Sequence, residues 1–212
     1  MNKKTGGDKY QIKEGSGRKK ALNKKQLKAI ANYSDGNEFT EFYRDLWLFI
    51  YFCNGINVAD LINLKFSDIQ NGEISFIRQK TKDRTRDSKR IYAPITPEMQ
   101  SIIDKWGNNP RKSTYIFPFM KAGDDAWEHE KKKKNLTKHI NDRMKVIGEK
   151  LNIGKITTYV ARHTYATVLR NEGVPVAIIS PMLGHTSITT TEIYLADLES
   201  ENRARNAHLL SF

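Results

Sequence analysis

The chain has 212 residues, enough for one ordinary domain and barely for two. Hydrophobic residues make up 38% of it and aromatic residues 10%, which excludes disorder over the whole chain because a core can be built. The 36 Lys and Arg exceed the 24 Asp and Glu, and the net charge of +12 indicates a polyanionic partner, nucleic acid first and an acidic membrane surface second.

Cysteine content and hydropathy exclude further classes of protein. The single cysteine, Cys53, excludes a disulfide framework and a cysteine-based zinc site. The longest apolar stretch, Leu46 to Cys53, has 8 residues, far fewer than the roughly 20 of a membrane span. The N-terminus has no apolar signal region. We therefore expect a soluble, cytoplasmic protein with no membrane association.

The positive charge is concentrated at the N-terminus. Residues 1–28 hold ten Lys or Arg and two acids, a net of +8 that leaves +4 for the rest. This segment also holds four glycines and almost no large apolar residues. We predict a flexible basic arm or linker over residues 1–20 and a globular domain over residues 21–212. A solvated tail with no partner is the alternative for the arm.

Helical periodicity recurs along the globular part. Asn23 is a plausible N-cap for the first helix, and the second is apolar nearly all round, which is typical of a central, buried helix. Pro97 is suited to a first helical position. The predicted helices cover residues 24–33, 39–53, 58–64, 97–106, 135–151 and 175–183. Another is capped by Thr157 or Thr158 and runs to Arg170, a last one runs from Ser187 or Thr189 through Tyr194, and the tail 198–212 is a further candidate.

One small sheet is predicted between these helices. Residues 69–78 alternate weakly around a turn at Asn71-Gly72, and residues 89–95 form a strand that can pair with them. Residues 80–88 form a charged loop between the two strands, and residues 107–134 are predicted to be irregular. The fold class is therefore mainly α with a small antiparallel β-sheet.

The segment 159–194 carries the most chemical information. Phosphodiester cleavage without a metal needs a nucleophile, cationic donors for the charge of the transition state and a proton for the leaving oxygen. Arg162 offers a planar fork for phosphate oxygens, His185 a second donor and Tyr194 a phenol. Gly184 is suited to a helix C-terminus, which would put His185 on a turn.

These residues resemble the tyrosine recombinases, the phage-integrase family. Arg162 lies 23 residues before His185, and Tyr194 follows nine residues later, as in that family. Two upstream segments also fit, the family's first-arginine box and the lysine of its β-hairpin. The segments that carry the resemblance are Arg162-His163-Thr164, Leu183-Gly184-His185, Thr190 to Tyr194, Asn54 to Leu61 and Gln79-Lys80-Thr81. The resemblance implies the catalytic-domain fold of a mobile-element integrase.

The resemblance also implies roles for single residues. Tyr194 would be the nucleophile that forms a 3′-phosphotyrosyl bond, and Arg162 and His185 would hold the scissile phosphate. Lys80 would protonate the leaving 5′ oxygen, with Lys82 as the alternative on the same loop. Strand exchange in this family needs neither ATP nor a metal, so no cofactor and no metal site are expected.

Two positions depart from the family pattern. Asn57 stands where the family has its first arginine, and loss of one preorganised donor lowers a rate by roughly 10²–10³. Another arginine could substitute, with Arg44 as a candidate, or the enzyme is slower, or the chain is a non-catalytic relative. Tyr159 stands where the family usually has His, three residues before Arg162 and hence on the same helix face, where it can relay a proton.

The resemblance further implies partners. These are double-stranded DNA, three more copies of the chain in a homo-tetramer on paired sites, and an N-terminal core-binding domain that this chain lacks if it is a fragment. The tail 198–212 would dock on a neighbouring protomer or pack on its own domain. The run Lys131, Lys132, Lys133 and Lys134 is either a solvated face or a set of phosphate contacts.

Two other functions remain open at this point. The chain could bind DNA without cutting it, as Asn57 suggests, or it could be a topoisomerase-like enzyme that nicks and reseals DNA without paired sites. The expected setting is the bacterial cytoplasm, in association with the nucleoid.

Overall fold

The computed structural model describes residues 21–82, 90–111, 114–185 and 187–196. The predicted basic arm over residues 1–20, the later part of the charged loop and the C-terminal tail lie outside these ranges. Within them the chain folds into helices around one three-stranded antiparallel sheet, which confirms the predicted fold class.

The elements follow one another as the sequence predicts, with two exceptions given below. The helices are α1 Lys24–Ala31, α2 Glu38–Phe52, α3 Val58–Leu61, α4 Gln79–Lys82, α5 Pro97–Trp106, α6 Ala126–Lys150, α7 Thr158–Asn171, α8 Val176–Met182 and α9 Ile188–Ala196. The strands are β1 Ile69–Gln70, β2 Glu73–Phe76 and β3 Ile91–Pro94, and a 3₁₀ turn spans Phe66–Asp68.

Polar caps set where the helices begin. Asn23 and Gln26 form a capping box at α1, and the Asn37 side chain accepts from the first turn of α2. The Thr157 side chain accepts from the N–H of Val160 and starts α7, and Pro97 occupies the first turn of α5. Both starts are those predicted from the sequence.

The core is built around α2, which packs against α5, α6 and α7. Trp47 and Phe49 on this helix are completely buried and belong to the core. The indole Nε1 of Trp47 donates to the backbone oxygen of Thr157 at 2.8 Å. This bond fixes the N-terminus of α7, the helix that carries Arg162, against the central helix.

The sheet has the order β1-β2-β3 and is antiparallel throughout. Asn71 and Gly72 both have positive φ, 53° and 77°, the conformation of a tight hairpin turn. The β2–β3 register pairs Ile74 with Ala93. Both predicted strands are confirmed.

The predicted loop after β2 is wrong at its start, because residues 79–82 form the helical turn α4. The buried carboxylate of Asp60 explains this turn. Its Oδ1 accepts from the backbone N–H of Gln79 at 2.7 Å, which satisfies a donor at the first position of α4.

The prediction of irregular structure over residues 107–134 is also wrong, because α6 begins at Ala126 and includes the lysine run. Asp125 caps the helix by accepting from the N–H of Glu128. The first two turns are solvated and carry an exposed tryptophan, Trp127, so they lack the apolar periodicity that sequence analysis follows. Among the described residues no helix, including the 25-residue α6, is both long and apolar enough to cross a membrane.

Candidate active site

Arg162 lies at the centre of the candidate site, on the inner face of α7, with 7% of its surface exposed. Its Nη1 donates to the backbone oxygen of Gly55 at 2.8 Å, and its Nη2 donates to that of Leu183. The same Nη2 lies 3.2 Å from Nε2 of His185. One guanidinium therefore joins the turn between α2 and α3 to the turn between α8 and α9.

The turn at Asn54-Gly55 is shaped around this arginine. Both residues have positive φ, 52° and 63°, and a Cβ added to Gly55 would lie 2.8 Å from Cα of Arg162. Tyr165 donates to Oδ1 of Asn54 at 2.8 Å, and Nδ2 of Asn54 donates to the backbone oxygen of Tyr92 at 2.9 Å. These bonds tie α7, the turn and β3 into one unit.

His185 lies on a turn after α8, as predicted, because Gly184 takes a positive φ of 64° at the end of that helix. Its Nδ1 lies 2.8 Å from Oγ1 of Thr191, which is completely buried on α9. An arginine can only donate, so we assign Nε2 as the acceptor from Arg162 and Nδ1–H as the donor to Thr191. This arrangement fixes the ring and its tautomer.

The surroundings of His185 keep its ring neutral at neutral pH. Burial lowers the pKa of His185, and the charges of Arg162, Arg78 and Lys80 lower it further, to about 4. Three cations therefore act on one imidazole. A bound anion would offset the repulsion between these cations and a protonated His185. The turn is therefore suited to binding an anion.

Tyr194 belongs to α9, three residues after Thr191. The structure thus brings the helix that carries Tyr194 to His185 and Arg162 through the Thr191 hydrogen bond.

The hairpin side of the site carries Arg78 and Lys80. Nη1 of Arg78 donates to the backbone oxygen of Gly184 at 2.9 Å, next to His185 in sequence. Lys80 lies on α4 with an exposed side chain and is one of the charges that act on His185. The side chain of Lys82, the alternative, lies outside the described part of the chain.

Sequence analysis missed Arg78 and Thr191. Alternation along β2 and beyond puts Arg78 on the same face as the buried residues Ile74 and Phe76, and an arginine at such an inward position is unusual. That is the signal that could have found it. Thr191 has the signal of helical spacing to Tyr194, but nothing local shows that it faces a histidine.

The two positions that depart from the family pattern lie beside Arg162. Asn57 and Tyr159 line, together with Arg162, a cavity of about 110 Å³. Tyr159 is 40% exposed, and its ring lies nearly parallel to that of His163, at 13° with the centroids 6.3 Å apart. Both residues lie next to Arg162, but neither contributes a charge to the group of Arg162, His185, Arg78 and Lys80.

Arg44, the candidate to replace the missing arginine, does not join this group. Its Nε and Nη2 donate to Oδ1 of Asp45 at 2.9 and 2.6 Å, and its Nη1 donates to the backbone oxygen of Tyr33. Asp45 also accepts from the indole of Trp106 at 2.8 Å. The charge of Arg44 is thus compensated near α1 and α5, by partners outside the group.

The lysine run does not converge on the site either. Lys132 pairs with Asp124 and Lys133 with Glu130, while Lys134 lies 3.6 Å from Glu130. The ammonium group of Lys131 lies over the ring of Trp127. The predicted phosphate contacts of this run remain a prediction.

Comparison with known sequences finds relatives among the tyrosine recombinases. The tyrosine recombinase XerA of Pyrococcus furiosus is 30% identical over 153 residues, which cover 70% of this chain and 48% of XerA. The XerD recombinase of Halalkalibacterium halodurans is 26% identical over 190 residues, covering 89% of this chain and 61% of XerD. The chain thus spans about half the length of relatives that it matches.

Solved structures show the same fold at low sequence identity. The Tn1549 transposon integrase in complex with a circular intermediate DNA superposes with a TM-score of 0.60 at 17% identity, covering 91% of this chain and 68% of that one. The XerH recombinase in a post-cleavage complex with its difH substrate gives 0.60 at 17% identity, covering 87% and 52%. Residues 11–201 match the Phage integrase family, and the chain belongs to that family.

Proposed function

We propose that the chain is the catalytic domain of a site-specific DNA recombinase that cuts and rejoins strands through a 3′-phosphotyrosyl intermediate. The observation that carries the proposal is the contact between the buried Arg162 and His185, with Nη2 and Nε2 3.2 Å apart, beside the helix of Tyr194. The resemblance to the tyrosine recombinases implies these residue types at this spacing, and residues 11–201 match the Phage integrase family.

In the proposed reaction the phenol oxygen of Tyr194 attacks phosphorus, and the bond from phosphorus to the 5′ oxygen breaks. Lys80 protonates that oxygen, and the phenol proton leaves to solvent, with Tyr159 at the edge of the site as a relay. Arg162 holds the non-bridging oxygens while their charge grows. The reverse attack by a 5′ hydroxyl releases Tyr194 and joins the strand.

His185 would change its protonation state when DNA binds. In the free chain its Nε2 accepts from Arg162, and its pKa is lowered to about 4 by burial and then by neighbouring cations. A phosphate oxygen beside Nε2 offsets these cations and favours the imidazolium, which can donate to the oxygen. DNA binding should therefore be accompanied by proton uptake.

Double-stranded DNA is the proposed substrate. The Tn1549 integrase and XerH, which share the fold, were both solved in complex with DNA. The likeness to a transposon integrase supports integration and excision of a mobile element as the finer role, in the bacterial cytoplasm. A homo-tetramer on paired sites and a separate N-terminal DNA-binding domain belong to the same proposal.

The test is a suicide-substrate assay with nicked duplexes tiled across the DNA that flanks the gene. Unmodified protein should give a protein–DNA band on a denaturing gel, and Tyr194→Phe should abolish it while DNA binding stays near normal. Tyr43→Phe is a matched control, because Tyr43 stacks on His139 on the α2–α6 side of the core. A band that persists in Tyr194→Phe would refute the assignment of the nucleophile.

The same assay decides between this proposal and its alternatives. Binding without any covalent band would identify a non-catalytic relative, which the uncharged Asn57 favours. Relaxation of a supercoiled plasmid that carries no paired sites would instead identify a topoisomerase-like enzyme.

A further inference from the structure

We propose that Arg78 supplies the second guanidinium on the scissile phosphate, in place of the arginine that the family has at position 57. The inference rests on the proposed recombinase function and names a residue that completes its site.

Two arginines hold the turn that carries His185. Arg162 donates from α7 to the backbone oxygen of Leu183, and Arg78, between β2 and α4, donates to that of Gly184 at 2.9 Å. The two carbonyls are consecutive and directly precede His185. The two guanidinium groups therefore reach this turn from two different segments of the chain, next to His185.

The turn is shaped to admit the side chain of Arg78. A Cβ added to Gly184 would lie 2.4 Å from Cδ of Arg78 and 2.5 Å from Cδ1 of Ile91. Any other residue at this position would push the Arg78 and Ile91 side chains aside, and the positive φ of 64° also favours glycine. The arrangement places a half-buried cationic side chain against the backbone next to His185.

The segment that carries Arg78 is held by α3, the same short helix that Asn57 precedes. Asp60 on α3 is 4% exposed and binds the backbone N–H of Gln79, the residue after Arg78, at 2.7 Å. Burial raises the pKa of Asp60, while the Gln79 N–H and the charges of Arg78 and Arg162 oppose that rise. The buried carboxyl group of Asp60 therefore interacts electrostatically with both arginines.

The charge of Arg78 also reaches His185. After burial, the groups that lower the pKa of this histidine are Arg162, Arg78 and Lys80, in that order. Arg78 thus acts on the imidazole together with Arg162 and Lys80, the proposed acid. A phosphate bound at the imidazole would lie in the field of both arginines.

Another arginine on the same hairpin provides the contrast. Arg90 is exposed, and its Nη2 donates to the backbone oxygen of Ser75 at 3.1 Å. It borders a different cavity, of about 350 Å³, that Asp68 and Tyr115 also line. Arg90 shares the hairpin and the charge of Arg78 but not its contact with the turn at Gly184.

The experiment compares single-turnover cleavage of a nicked duplex by Arg78→Ala, Arg78→Lys and the control Arg90→Ala. We expect Arg78→Ala to be slower by roughly 10²–10³-fold, as for loss of one preorganised donor. Arg78→Lys should recover part of the rate and Arg90→Ala should keep it. Circular dichroism melting of each variant checks the fold, and Arg78→Lys serves as the test if the alanine variant unfolds.

A second substrate separates charge neutralisation from a structural role. A methylphosphonate at the scissile position carries no negative charge, so the gap between the unmodified protein and Arg78→Ala should shrink to less than about 10-fold if Arg78 balances that charge. Asn57→Arg added to Arg78→Ala should restore cleavage of the normal phosphate, because position 57 borders the cavity of Arg162.

Three results would overturn the inference. A Tyr194-dependent band that Arg78→Ala forms at the unmodified rate would refute it and leave the proposed function intact. A rate gap that is equally large on the methylphosphonate would assign Arg78 a structural role. No covalent band with the unmodified protein would refute both proposals.

Discussion

The two sides of the candidate site are built differently. On the α7–α9 side, Arg162 and Thr191 are buried and joined through His185 by contacts of 3.2 and 2.8 Å. On the hairpin side, Arg78 is half-buried and Lys80 is exposed, and the short segment that carries them is anchored by the Asp60 carboxylate.

This difference indicates which active-site cation can be supplied by a residue at another position in the sequence. Arg162 holds the Gly55 and Leu183 carbonyls, so it cannot be replaced without losing the contact between two turns. A cation on the hairpin side needs only to reach the turn at Gly184, as Arg78 does by donating to the Gly184 backbone oxygen. The charge that Asn57 lacks beside Arg162 can therefore be supplied from the hairpin side, by Arg78.

The largest effect is expected on the hairpin side, at Lys80. Lys80→Ala should slow cleavage by roughly 10²–10⁴-fold, the usual contribution of a general acid. A substrate with sulfur in place of the leaving 5′ oxygen needs no acid, because a thiolate is a much weaker base, and should restore most of the rate. The measurement is single-turnover formation of the covalent band on both substrates.

Lys82→Ala is the matched control on the same segment. It should cleave the oxygen substrate at nearly the unmodified rate. The opposite result, a slow Lys82→Ala variant that the sulfur substrate rescues, would assign the role of the general acid to Lys82 instead of Lys80.

Most of the α7–α9 side could be predicted from the sequence because its signals are local. Thr157 caps α7, and Gly184 ends the α8 segment and leaves His185 on a turn, as expected. Capping and positive φ depend on a few neighbouring residues, so they can be found without the fold.

The hairpin side could not be predicted in the same way. Arg78 and Gly184 are 106 residues apart, and only the packed fold shows that one donates to the other. The same holds for the bond between Asp60 and Gln79, which turns an expected loop into α4. Arg44 was a plausible substitute for the missing arginine by its position in the sequence. Its guanidinium instead binds the adjacent Asp45, away from Arg162.

An intermediate effect is expected at Thr191 on the α7–α9 side. Thr191→Val keeps the shape but removes the acceptor for Nδ1–H of His185, so the ring can rotate or change tautomer. We expect cleavage to fall by roughly 10-fold, the cost of about one hydrogen bond, and Thr191→Ser to restore it. A Thr191→Val variant as fast as the unmodified protein would show that α9 does not orient the histidine.

The titration of His185 by NMR provides a readout of this site that does not depend on DNA. The ring should stay neutral until the pH approaches its lowered pKa of about 4. The unfolded chain takes up this proton near pH ~6.5, so His185 makes the fold less stable as the pH falls from there to about 4. A His185→Gln variant should lose less stability over that interval. Titration of the unmodified ring near its ordinary pKa would contradict the described burial.

The smallest effect is expected from the lysine run on α6, outside both sides. Lys134 is more exposed than Lys132, at 73% against 29%, and Lys132 is bonded to Asp124, whose pKa that bond lowers to about 2. If the run contacts phosphates, Lys134→Ala should weaken DNA binding a few-fold and reduce the slope of log K against log salt by about 0.9, and Lys132→Ala should change it less. Cleavage at saturating DNA should be unchanged in both variants, because neither lysine joins the Arg162 group. Unchanged salt slopes in both variants would identify the lysine run as a solvated helix face. A lower cleavage rate at saturating DNA would instead show that α6 takes part in cleavage.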